Sequence, residues 1–431
     1  VRGQAVVLLT EEKGVADMAN ASDRRTVAQP SAAPRYPMRR QDPFDPPPEL
    51  ARVRESRPVC PVTLWDGGQA WLLTRYRDVR AVLGDPRMSA DPRCPGYPFL
   101  SEARSTARDG AGSFNHLDAP LHEVYRRTVG PEFTVERIAA LRPMIEAVAA
   151  ERVARLAALT PPVDLAAELA LPVPSTVICH LLGIPYADHG VFETRTGVRM
   201  RLDATPADVR QANQAILDHL TDVVRRKLRT PGDDLISRLC VRYVRTGELS
   251  VADAVDIVRL LLVNGYETTA NMITLGVLVL LTQDRTAAEF GVGVGAAPGS
   301  GLPAVVEELL RYQTIVHIAP TRAVRADVEL HGTLLRAGDG VITSLAAANR
   351  DPEVFADPDV FDPGQRTRRH LAFGSGVHHC LGHPLARLEL AVVLDTLFRR
   401  LPALRLAVPV ADLRFKHDMG LYGVHRLPVT W

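Results

Sequence analysis

A mainly helical fold with small β-sheets is the class the sequence predicts. Long segments repeat apolar residues every three or four positions, strand-like runs are short and few, and the apolar stretch from Ser250 to Asp284 contains no proline. With 46% apolar residues, the 431-residue chain has ample material for a large core. Lys and Arg number 51 against 50 Asp and Glu, so no basic field marks nucleic acid or an anionic membrane as the partner. A small organic molecule is the expected ligand.

Residues 1–34 hold only "AVVLL" as an apolar run, too short for a signal sequence or a membrane span, and are read as a disordered leader. Val1 fits a GTG start translated literally, with Met18 as the alternative start. Cys60, Cys94, Cys179, Cys240 and Cys380 are odd in number and scattered, the pattern of a reducing compartment, so a cytoplasmic location is expected.

In "ERIAALRPMIEAVAAERVARL", Ile138, Leu141, Ile145 and Val148 recur at helical spacing and predict one buried face. "SVADAVDIVRLLLVNGYETTANMITLGVLVLLTQD" opens with a capping box, Ser250 and Asp253, and at 1.5 Å per residue would reach roughly 50 Å, the width of a domain. Its centre is apolar on every side, yet Asn264, Glu267, Thr268, Thr269 and Asn271 argue against lipid. "AWLLTR", "VELHGTLLRAGDGVIT" and "HRLPVTW" supply the strands. "GVGVGAAPGSG" puts Gly291, Gly293 and Ala296 at dinucleotide spacing, but it follows a helix and is read as a flexible linker.

The densest chemistry lies in "HLAFGSGVHHCLGHPLARLEL", His370 to Leu390. Pro384 falls in the first turn of the amphipathic helix that follows, so Cys380 sits at a helix N-terminus where the dipole and free N–H groups favour a thiolate. A merely buried cysteine leaves the surrounding glycines unexplained. Zinc would need His378, His379, Cys380 and His383 to wrap one tetrahedral ion from six consecutive positions. A haem iron held by the thiolate is the third reading, since no Cys-x-x-Cys-His is present for covalent haem attachment.

The loop resembles the haem signature of the cytochrome P-450 superfamily, Phe-Gly-x-Gly-x-His-x-Cys-x-Gly, matching at Phe373, Gly374, Gly376, His378, Cys380 and Gly382. The resemblance covers essentially everything after Arg35 and is strongest to soluble, actinomycete-type members. It implies one domain over residues 35–431, with haem b between the long distal helix and the cysteine-loop helix, and Cys380 as the iron ligand. "NGYETTAN" is similar to the family's distal motif, with Gly265, Glu267 and Thr268 on its named positions. A Gly followed by Thr hydroxyls that bond back to carbonyls predicts a local helix opening, and Glu267 and Thr268 are then the proton relay.

The same resemblance makes Glu308 and Arg311 a buried structural pair, with Gln365 where relatives commonly carry an arginine third partner and Arg366 beside it. It assigns His122, Arg126, Arg322 and His378 to the haem carboxylates, with Phe373, Gly374, Gly265 and Gly382 also against the cofactor. His379 and His383 are structural. Asn264 stands where Ala or Gly is usual, and with Tyr266, Val316, Ile318, Ala319, Leu421 and the region from Cys94 to Asn115 forms the candidate substrate pocket. Arg366, Arg368 and Arg369 are candidates for docking an acidic ferredoxin.

The activity implied is a monomeric monooxygenase that hydroxylates or epoxidises an antibiotic-type metabolite: a polyketide, a macrolide or a carrier-bound amino acid. Electrons would come from NAD(P)H through a ferredoxin and its reductase. Within the same fold a nitric-oxide reductase is the alternative, which the Glu267–Thr268 pair opposes. A non-catalytic haem-fold recruitment module is the other, opposed by intact Cys380 and Glu267.

Overall fold

Helix Val251–Thr282 carries the architecture, a 32-residue rod buried on nearly every side. Its start is fixed reciprocally: the Ser250 hydroxyl accepts the Asp253 N–H at 3.1 Å, and the Asp253 carboxylate accepts the Ser250 N–H at 2.8 Å. Helices Pro172–Leu182, Pro206–Arg229, Leu302–Gln313 and His383–Arg400 pack around it, which is why its sequence is apolar all round. The structure is a computed structural model describing residues 33–105, 113–294, 301–365 and 369–431, with Pro34–Trp431 as one compact unit. The expected leader lies outside the described residues.

The helical segment after Thr134 is two helices, Val135–Ala140 and Arg142–Ala157. Pro143 cannot donate to the preceding turn, so the helix restarts there and its stripe rotates. Ile145, Ala149, Val153 and Leu156 are buried, whereas Leu141 and Val148, expected on the buried face, are only half-buried.

The principal sheet has five strands in the order Val59–Thr63, Gln69–Leu73, Gly340–Thr343, Thr321–Val324, Met88–Ser89. Gln69–Leu73 and Gly340–Thr343 run parallel, with Trp71 opposite Val341. Strands Val328–Leu330 and Thr333–Leu335 form a hairpin closed by His331 and Gly332, at φ 50° and 72°; two successive positive φ values match the right-handed strand twist. Pro428–Thr430 pairs with Val163–Asp164 and Arg405–Leu406.

The glycine stretch from Gly291 is not a free linker at its start. Val292 is buried, and Gly293, at φ 84°, lies so close to Phe398 that a Cβ would overlap it; its middle lies outside the described residues. No helix among the described residues is long and apolar enough to cross a membrane.

Candidate functional site

The cysteine loop is shaped by Gly374 and Gly376, both left-handed at φ 74° and 72°. A Cβ on Gly376 would strike the Leu83 carbonyl and Gly84, so the loop leans on the end of helix Tyr76–Gly84. The Cys380 N–H donates to the Phe373 carbonyl at 2.9 Å. Its sulfur faces the backbone N–H groups of Gly382, the cap of helix His383–Arg400, and of His383. Burial pushes the Cys380 thiol up, while those N–H groups, Arg126 and Arg387 pull it back. Of the five cysteines Cys380 alone is exposed, yet protein encloses it at longer range.

A network that the sequence did not reveal braces this loop. Arg387 holds Glu307 through Nε at 2.5 Å and Nη2 at 3.0 Å, contacts His383 Nδ1 at 2.8 Å, and stacks 4.6 Å from the Phe373 ring centre. His370 Nε2 lies 3.2 Å from Glu307. Burial alone would raise Glu307, but hydrogen bonds from His370 and Arg387 prevail and hold it at about 2. His379 packs against His383, ring centres 4.8 Å apart.

On the long helix, Asn264 is exposed and Thr268, one turn later on the same face, is half-exposed. The Thr268 hydroxyl donates to the Asn264 carbonyl at 2.8 Å. The expected opening is not formed: the helix is continuous here, the hydroxyl sharing that carbonyl without breaking the turn. Gly265 serves helix packing, since a Cβ there would meet Ile178 at 2.8 Å. Tyr266, expected in the pocket, is two residues from Asn264 and so on another face; it is buried, with its hydroxyl donating to the Phe192 carbonyl at 3.3 Å.

Glu267 is buried, with Oε1 3.7 Å from Lys416 Nζ and Oε2 without a partner. Burial raises its pKa, against the pull of Lys416. Lys416 also donates to Asn271 Oδ1 at 2.9 Å, binding the last loop to the helix one turn beyond Glu267. No motif marks Lys416, which is isolated in "RFKHD".

Between the two helices stands a cationic group. His122 and Arg322 are buried, Arg126 is half-buried, and the His122 and His378 rings are 4.1 Å apart. Burial, then Arg322, His122, His116 and Arg126, push His378 down to about 3, and its Nδ1 is buried without a partner. His116, unmarked in the sequence, is likewise held at about 4. Asp118, the nearby carboxylate, is taken by the Ser89 hydroxyl and the Ala90 N–H. An accessible sulfur met by N–H donors, beside arginines and neutral histidines that lack carboxylate partners, fits a haem offering iron to Cys380 and carboxylates to the cations. Among the described residues no cluster of His, Cys, Asp and Glu could hold a metal ion on its own, which removes the zinc reading.

Glu308 and Arg311 are completely buried and doubly bonded, both contacts 2.7 Å. Backbone completes the network: Arg311 donates to the carbonyls of Asn349, Pro358 and Val360, and Glu308 accepts the Asp362 N–H. Gln365 takes no part, and its buried Oε1 lacks a partner. Ile318, expected in the pocket, packs with Ala319 against Val62, Leu72 and Ile342 under the sheet. Val316 is half-buried, and Leu421 is buried in a loop fastened by Tyr422 N–H to the Ile315 carbonyl at 2.8 Å. Arg369 is exposed; Arg366, Arg368 and part of the Cys94–Asn115 region lie outside the described residues.

The family model described as cytochrome P-450 matches residues 301–404. Cytochrome P-450-SU2 of Streptomyces griseolus is 45% identical over 90% of this chain and 94% of its own length. The 20-oxo-5-O-mycaminosyltylactone 23-monooxygenase of Streptomyces fradiae is 41% identical over 96% and 95%. Among solved structures, the mycinamicin VIII methyl hydroxylase MycCI of Micromonospora griseorubida superposes with a TM-score of 0.87 at 39% identity, covering 92% of this chain and 100% of that one.

Proposed function

The chain belongs to the cytochrome P-450 family and is an oxygen-incorporating oxidoreductase, and from that premise we propose that it hydroxylates or epoxidises a secondary metabolite. The substrate is a polyketide or macrolide, or an amino acid held on a carrier protein; the macrolide-oxidising relatives support this choice. The observation that carries the reading is the setting of Cys380, an accessible sulfur met by two backbone N–H groups and by the charge of Arg126.

When bound, the haem would supply an iron centre able to activate O2, and Cys380 would hold it through a thiolate that donates electron density. His122, Arg126, Arg322 and His378 are assigned to its two carboxylates, which need donors once desolvated. Glu267 and Thr268 are assigned to the protons. Burial raises the pKa of Glu267 and so strengthens its hold on a proton, while Lys416 weakens that hold. The Thr268 hydroxyl gives its hydrogen to Asn264 and keeps lone pairs to accept another. Asn264, exposed on the same face, is assigned to a polar group of the substrate.

Electrons are assigned to a ferredoxin fed by its reductase from NAD(P)H. A groove of about 720 Å³ lined by Tyr76, Arg77, Arg80, Asp85 and Arg87 adjoins the point where Gly376 leans on Leu83, and an acidic ferredoxin would be steered to it. Five unpaired cysteines suit work in a reducing cytoplasm, and the enzyme is taken to act as a monomer. The test supplies reconstituted enzyme with ferredoxin, reductase, NADPH, isotopically heavy O2 and a macrolide and polyketide panel. A product carrying one heavy oxygen is expected; substrate-independent NADPH use and no oxygenated product from any member would remove the reading.

A further inference from the structure

Arginines from three separate elements gather beside the first half of the central helix, apart from the four residues assigned to the haem carboxylates. Arg104 belongs to the short turn Glu102–Ser105, Arg199 to helix His189–Met200, and Arg259 to the central helix. The Arg104 guanidinium packs directly on Gly420, where any Cβ would overlap it. Gly420 donates its N–H to the Met200 carbonyl at 2.8 Å, so Arg104 stands beside the residue that follows Arg199. Arg259 lies two turns before Tyr266 on the same face, and Tyr266 meets that helix through the Phe192 carbonyl.

Two of the three half-buried or buried guanidinium groups each keep a buried nitrogen without a partner. Arg104 Nε and Arg199 Nη1 are buried without a hydrogen bond, and no ion pair among the described residues engages either side chain. Arg259 is satisfied, by Asp256 at 3.1 Å and the Ser113 hydroxyl at 2.7 Å. Tyr97 adds a hydroxyl that accepts from Thr321 at 2.7 Å and keeps its own hydrogen to donate. Arg104 and Arg199 are both lowered by burial, Arg199 to about 10 with Arg259 and Arg104 adding to it, and burial, then Arg104, Arg322, Arg259 and Arg199, hold His116 at about 4. A buried cation without a counter-charge is costly. Planar guanidinium forks are suited to carboxylate and phosphate oxygens.

We infer that the substrate presents an oxyanion, a carboxylate or a phosphate ester, to Arg104 and Arg199, with Arg259 behind them and Asn264 and Thr268 facing the carbon to be oxidised. This rests on the monooxygenase reading and narrows it to anionic metabolites. The anion anchors one end of the substrate, and the anchoring selects which carbon reaches the oxidising centre.

The experiment titrates the ferric, haem-loaded enzyme with dodecanoate, dodecyl phosphate and 1-dodecanol, following the haem absorption. 4-Phenylimidazole serves as a ligand that needs only the haem. At least one anion should bind tenfold or more tightly than the alcohol, with an affinity that falls as KCl is added. Tighter dodecanoate would name a carboxylate, tighter dodecyl phosphate a phosphate ester. The preference should vanish in the Arg104→Gln, Arg199→Gln double variant and return in part in Arg104→Lys, with 4-phenylimidazole affinity unchanged throughout. Equal binding of the anions and the alcohol, an anion preference that survives the double variant, or no binding of all three while 4-phenylimidazole binds would overturn the inference. Absence of a 4-phenylimidazole complex would instead overturn the haem reading beneath it.

Discussion

The surroundings of Cys380 and those of the central helix are built on opposite terms. Around Cys380 the groups that brace the loop are answered: the sulfur by two N–H groups, Glu307 by Arg387 and His370, and the fully buried Glu308 by Arg311 and a backbone N–H, with His378 Nδ1 left open toward the site assigned to the haem. On the central-helix side, Glu267 Oε2, Arg104 Nε and Arg199 Nη1 are buried without partners, and Asn264 is exposed in the middle of a buried helix. A side that must hold one cofactor in one position is served by closed networks. The side that receives a substrate and passes protons keeps groups open, and its unsatisfied atoms mark where partners are to arrive.

If that contrast is correct, breaking a closed network should cost fold, whereas altering an open group should cost turnover. The largest effect is expected from Glu308→Ala, which strands a buried guanidinium; a loss of about 3–5 kcal/mol should appear in urea unfolding. Thr268→Ala should leave unfolding unchanged and lower product formation by about a hundredfold or more, while NADPH oxidation persists, so the ratio of product to NADPH collapses. Lys416→Met should act through Glu267. Burial already raises that carboxyl and Lys416 opposes the rise, so removing the lysine raises it further, and the alkaline limb of the kcat profile should move to higher pH. An unmoved limb would detach Lys416 from the proton path.

The smallest effect tests a breach on the cysteine side that no cofactor is assigned to fill. Glu389, in the helix that Cys380 precedes, is completely buried with both oxygens unpartnered, and burial raises its pKa well above the usual value. The folded chain therefore keeps a proton that the unfolded chain releases, and this group opposes folding increasingly as pH rises above the ordinary carboxylate range. Glu389→Gln cannot ionise and should stabilise by about 1 kcal/mol. Its gain should be larger near about pH 8 than near about pH 5; a gain independent of pH would mean that Glu389 has a partner.

What the sequence made legible is local. The capping box at Ser250 and Asp253, the Glu308–Arg311 spacing and the glycines before Cys380 each act within a few residues, so their chemistry can be read from their spacing. Lys416 meets Asn271 across 145 positions, and Arg387 meets Glu307 across 80; such contacts exist only after folding and leave no spacing to find. The two misreadings on the helices have the same root. Gly265 read alone suggests an opening, but its need is set by Ile178 from a distant helix, and the face of Tyr266 is set by Phe192. Pro143 was visible, and its break in the helix follows from the missing N–H.

The central claim is that Cys380 presents a thiolate to a haem iron, and the absorption spectrum of the reduced, CO-treated, haem-loaded enzyme tests it most directly. The account predicts the strongly red-shifted Soret band of a thiolate-ligated CO complex in the wild type, and its replacement by the imidazole-ligated type in Cys380→His with the fold retained. A wild-type spectrum without the thiolate band, or one that is unchanged in Cys380→His, would contradict it.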